Sequence, residues 1–196
     1  MHTILDAGRR AGWRAASLVL LTAAPLSAQA VASQPSALDP GRQLAQDGIM
    51  LMRDSVSVAL GTIAQLQRDY RQASTSTLES YARQVNVACA AAERTWPTAR
   101  RMVADADLTT VQQQRAQGDM LKSFDRLKPG LADCQRTFGP LGQPGKGEEV
   151  RGYGNRRAEP VRGTLEAYNR SLLPFIRALQ LNAREVIGAG PSPLDR

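Results

Sequence analysis

Ile49, Met52, Val56, Ala59, Ile63, Leu66 and Tyr70 follow one another at alternating steps of three and four residues. Only a helix gathers such positions on one side, because its 3.6-residue turn brings i, i+3, i+4 and i+7 into a single stripe. The spacing predicts a helix over roughly residues 42–72. An isolated helix of this kind is marginal in water and must bury its stripe against something. The stripe is read as intramolecular core, with an exposed dimerisation face as the alternative.

The partners follow in order. Residues 74–77 are a hydroxyl-rich break, and Ser76 and Glu79 have the spacing of a capping box. A second stripe runs through Leu78, Tyr81, Val85, Cys89, Ala92 and Trp96. Pro97 is expected to kink or restart that helix, which ends near residues 105–107. Thr109 and Gln112 suggest a further capping box, leading into a helix with Val111, Leu121, Phe124 and Leu127. Pro129-Gly130 should interrupt it, leaving a short helical segment from Leu131 to Phe138. Residues 139–160 contain six Gly and three Pro and are expected to form a long irregular loop. The last helix is expected from Val161 to Ile187, through Leu165, Tyr168, Leu172, Ile176, Leu179, Ala183 and Val186, with a bend at Pro174.

Composition agrees with helices. Apolar residues make up 42% of the 196, aromatics only 5%, and unbranched side chains lose little freedom in a helix. The fold class is therefore all-α: an antiparallel four-helix bundle with kinked helices and a long Gly/Pro-rich loop before the last helix.

The N-terminus points to export. Arg9, Arg10 and Arg14 precede the short apolar run Ala15–Ala24, Pro25 breaks it, and Ala28-Gln29-Ala30 has the small-x-small pattern of a cleavage site. Residues 1–30 are read as a signal peptide, with an uncleaved inner-membrane anchor as the alternative. Either way the bundle is placed in the periplasm. Residues 31–41 form a disordered lead-in, 42–188 the bundle and 189–196 a flexible tail. Loss of residues 1–30 removes three Arg and one Asp, so the net charge falls from +7 to +5.

Cys89 and Cys134 are the only thiols, and an even count in an oxidising compartment suggests one disulfide. With the connection between the second and third helices placed near residue 107, unbroken helices would carry the two thiols to heights about 13 Å apart. A chain reversal at Pro129-Gly130 would bring them level, so the bridge and the reversal are expected together.

Chemistry is bounded by what departs. The single histidine, His2, leaves with the signal, so Ser-His-Asp and Cys-His catalysis and the usual zinc, copper and non-haem iron ligand sets have no histidine to draw on. No P-loop or CxxCH is present. No catalytic site, metal or cofactor is expected. The remaining functional candidate is the basic loop with Lys146, Arg151, Tyr153, Arg156, Arg157 and Arg162, read as a flexible contact arm for an acidic protein surface or an anionic membrane surface. Nucleic acid is not expected as a partner. The role that follows is a non-catalytic accessory or stabilising subunit docked on the periplasmic side of a membrane protein complex. The alternative is a soluble periplasmic ligand-binding or chaperone-like bundle holding its ligand near Trp96, Tyr70 and Tyr168.

Overall fold

The computed structural model describes residues 38–183 and Val186. The leader, most of the lead-in and the tail lie outside the described residues. Among those described, the chain is all-helical. Helix α1 spans Pro40–Asp69, α2 Thr75–Asp105 and α3 Val111–Leu141; a single turn, α4 (Gly147–Glu149), runs into a π-helical turn at Val150–Gly154, and α5 spans Asn155–Ala178. Helix α1 packs against α2 and α5, α2 against α3, and α3 against α5.

The first helix begins where Asp39-Pro40 directs it. The Asp39 carboxylate accepts the backbone N–H of Arg42 at 2.9 Å, and that bond holds the carboxyl below its usual range, as an N-cap does. The stripe from Ile49 to Leu66 is buried throughout, while Tyr70 is only half-buried. The other two starts shift slightly from expectation. Ser74, not Ser76, caps α2 by accepting from the Thr77 backbone N–H at 3.1 Å. Glu79 turns instead to the backbone N–H of Gly147 at 2.9 Å. The capping box of α3 is Thr110 with Gln113, one residue later than expected.

The larger correction concerns Pro129-Gly130, where an interruption was expected. Helix α2 continues through Pro97, α3 through Pro129 and Pro140, and α5 through Pro160 and Pro174. Each interior proline withholds one amide and costs about 3 kcal/mol. Along α3, however, Phe124, Leu127, Leu131, Cys134 and Phe138 are all buried on one stripe, and each large apolar side chain contributes about 1.5–3 kcal/mol when removed from water. Breaking the helix at Pro129 would scatter that stripe, so burial wins.

Gly130 therefore acts not as a breaker but as a point of close approach. A methyl group placed on it would stand 2.3 Å from Thr164 Cγ2, on α5. Gly130→Ala is expected to destabilise by about 1–2 kcal/mol, overpacking outweighing the gain in helix propensity. Adding Thr164→Ser removes the clashing methyl and keeps the hydroxyl that donates to the Pro160 carbonyl at 3.1 Å. Denaturant unfolding of the two single variants and the double should show recovery in the double; simple additivity would mean the two side chains do not meet.

The stretch 139–160, expected as an irregular loop, is mostly helical as well. It comprises the end of α3, the α4 and π-helical turns and the first six residues of α5. Val150, Ala158 and Gly147 are buried, which gives these turns a core side that composition concealed. The last helix correspondingly starts earlier than expected and ends at Ala178. Its terminus is closed by Leu181 N–H to Ile176 O at 3.0 Å and Gln180 N–H to Arg177 O at 3.1 Å, a Schellman pattern. Gln180 takes the left-handed conformation there, with φ 55°.

Candidate docking groove

Cys89 of α2 and Cys134 of α3 stand at disulfide distance, Cα to Cα 6.3 Å. The chain reversal thought necessary for this is absent. Gln117 donates to the Val103 carbonyl at 2.7 Å, Trp96 Nε1 to the Phe124 carbonyl at 2.8 Å, and Arg83 Nε to the Gly142 carbonyl at 3.2 Å. The two members of each pair, like Cys89 and Cys134, lie at nearly equal sequence distances from residues 110–113. The apex of the hairpin is thus the start of α3 rather than residue 107. Two continuous helices then bring the thiols level.

The basic residues expected to form one arm are divided between two tasks. Arg151 donates to the carbonyls of Tyr70, Arg71 and Ala73 at 2.9–3.1 Å, closing over the end of α1. Arg162 donates to Glu166 at 2.6 Å and to Gln67 at 2.9 Å, tying α5 to α1; the Glu166 bond raises the Arg162 pKa. Lys146 pairs with Glu149 in the next turn. These three brace the fold. The side chain of Tyr153 lies outside the described residues. Only Arg156 and Arg157 reach an open surface feature, and they share it with residues of α3 that sequence reasoning did not single out.

That feature is a groove between α3 and α5. Its lower section is bordered by Asp133, Arg136, Arg156 and Arg157, with Gly130, Pro160 and Thr164 in the floor. The middle section, about 640 Å³, shares Pro160 and Thr164 and adds Asp119, Lys122 and Arg126 over Gly163, Ala167 and Ser171. The upper section shares Asp119 and Ser171 and adds Arg115 beside Ala116 and Pro174. Gly163, Ala167 and Ser171 share the floor with Leu127, Val161 and Tyr168, which are buried. Six cations and two acids border the groove. Both acids are already held on their own helix, Asp119 by Lys122 at 3.0 Å and Asp133 by Arg136. Arg115, Arg126 and Arg156 have no ion pair among the described residues. The α3 arginines recur across a helix that also carries acids, so their shared edge emerges only when α5 is set beside it.

The aromatic residues considered as ligand contacts do not form one site. Tyr168 is buried edge-on against Phe124, ring centroids 5.3 Å apart. Trp96, half-buried, lies under Arg100 and Lys128. Arg100 is also held by Asp125 at 2.7 Å, and this bond lowers the Asp125 pKa. Tyr70 lies at the end of α1, its hydroxyl accepting from Arg71. Burial pushes the Tyr168 phenol pKa far up, and its hydroxyl finds no protein partner. A buried hydroxyl in that condition costs about 1–3 kcal/mol. Tyr168→Phe is therefore expected to raise stability by about 1 kcal/mol, moving the thermal midpoint up by about 2–4 °C. A lower midpoint would show that the hydroxyl does have a partner.

Among the described residues, no three His, Cys, Asp or Glu side chains gather as a metal site. Compared with models of protein families, with curated proteins and with solved structures, the chain matches none.

Proposed function

We propose that the protein is exported to the periplasm, folds there as an antiparallel four-helix bundle formed by α1, α2, α3 and α5, and serves as a non-catalytic accessory or stabilising subunit of a membrane protein complex. The observation that carries this reading is the row of unpaired arginines, Arg115, Arg126 and Arg156, along an open groove floored in part by small residues. Small floor residues let a second backbone come close, and flanking cations select an acidic one. The partner is accordingly an acidic protein segment. An anionic bilayer suits the groove less well, since the exposed large apolar side chains a membrane would take up, Leu51 and Val58 on α1, Val87 on α2 and Val111 at the start of α3, do not line it. The ligand-binding alternative has less support, because Trp96, Tyr70 and Tyr168 belong to three separate surroundings.

Reversing the three arginines together, Arg115→Glu, Arg126→Glu and Arg156→Glu, tests the reading. Exposed pairs contribute about 0.2–1 kcal/mol each, so loss of three should weaken the association by about threefold to a hundredfold. The measurement is co-purification of the bundle with solubilised native membranes, at low and high salt, with helicity and melting checked in parallel. Loss of the partner with an unchanged fold is the expected result. A native protein that always leaves the membranes alone would overturn the subunit reading, and undiminished association of the triple variant would overturn the groove.

A further inference from the structure

On the α1–α2 side lies a second groove of the opposite character, nearly devoid of polar surface and lined by Val58, Val87, Ala88 and Ala91. Val58 is 53% exposed and Val87 58%. Asp54 of α1 and Arg83 of α2 also line it. Asp54 is 77% exposed and accepts from Arg53 of its own helix through Oδ1 at 2.7 Å, and the Nε–H of Arg83 is anchored on the Gly142 carbonyl.

The placement of these residues has a symmetry. Helices α1 and α2 run antiparallel: a side chain on Gly48 would meet Ala99, Thr95 donates to the Met52 sulfur at 3.3 Å, and Tyr81 donates to Asp69 at 3.2 Å. On that register, Asp54 stands level with about residue 94 of α2 and Val58 with about residue 90. Arg83 and Asp54 therefore lie about 8 Å to either side of the level of residues 88–89, at 1.5 Å per residue. Val87 and Val58 lie about 2 Å to either side of the same level.

We infer that this face pairs with a second copy of the chain about a twofold axis that crosses both helices at that level. Such an axis lies α1 of one copy along α1 of the other and α2 along α2, each pair antiparallel. It sets Val58 against Val58 and Val87 against Val87, about 4.5 Å apart along the helix axis, and closes the groove over apolar contact. It also brings Asp54 of each copy to the level of Arg83 of the other, twice. A self-complementary patch is what an isologous contact requires; an unrelated partner would require no such matching of levels. The pairing is independent of the α3–α5 groove, which lies on the other pair of helices, so a dimer can form with or without the acidic partner.

Sedimentation velocity of the secreted protein, from the low-micromolar to the millimolar range, tests the pairing. The expected result is a monomer–dimer equilibrium weakened at least tenfold by Asp54→Arg alone and by Arg83→Asp alone, and restored when both are present. Val58→Glu, a change at an exposed position, should abolish the dimer without altering the melting temperature, which guards against a folding defect in the Arg83 variant. A monomer at every concentration overturns the inference. So does a dimer that ignores Val58→Glu, a charge swap that fails to restore association, or a photo-crosslink from position 58 that captures only a different protein.

Discussion

Replacing Cys89 and Cys134 together with alanine is expected to lower the stability of the folded chain by about 4 kcal/mol. The bridge spans 45 residues of sequence, and loop-closure entropy for a ring of that size is about 4 kcal/mol at room temperature. In a domain of this length each kcal/mol moves the thermal midpoint by about 2–4 °C, so the melt should fall by about 10 °C. Both cysteines are fully buried, which shields the bridge until the helices part. Reductant added to the wild-type protein should produce the same fall once unfolding exposes the sulfurs. A melt that ignores reductant, or two alkylatable thiols in protein taken from cells, would remove the cross-link.

Phe124→Ala should be comparably severe, at about 3–5 kcal/mol. Phe124 is fully buried and its ring is the surface on which Tyr168 of α5 rests. Its own carbonyl accepts the Trp96 indole of α2, so one residue of α3 meets both neighbouring helices. Truncation leaves a cavity under Tyr168 that the packed helices cannot collapse around. Phe124→Leu, which keeps most of the volume, should recover more than half of the loss. Chemical denaturation of the three proteins measures this, and equal midpoints for Ala and wild type would mean that the centre of the core lies elsewhere.

Much of the architecture was legible in spacing alone. The stripe of α1 and the stripe of α2 stand close to where their periodicity placed them, because a stripe of apolar side chains at helical steps has no other way to leave water. The prolines and glycines misled. Pro129-Gly130 reads as a break by local rules, yet the stripe from Phe124 to Phe138 continues across it, and the energy of the continued stripe was the term to weigh. The same holds for residues 139–160, where Leu141, Val150 and Ala158 hinted at a buried side among so many breakers. The docking groove was legible only in part. Arg156 and Arg157 stood out in a basic cluster, whereas Arg115 and Arg126 looked like any solvated cations on α3.

Local chemistry thus sufficed for the helical class, for the stripe of α1 and for the candidacy of two cysteines, since apolar periodicity acts within a few residues. The pairing height of those cysteines, the survival of α3 through its prolines, and the division of the arginines between braces and groove depended on contacts between helices. Those contacts involve residues scores of positions apart, such as Gly130 with Thr164 and Arg151 with Tyr70. Their strengths exceed the local penalties only once the helices are packed side by side, and no window of neighbouring residues contains that information.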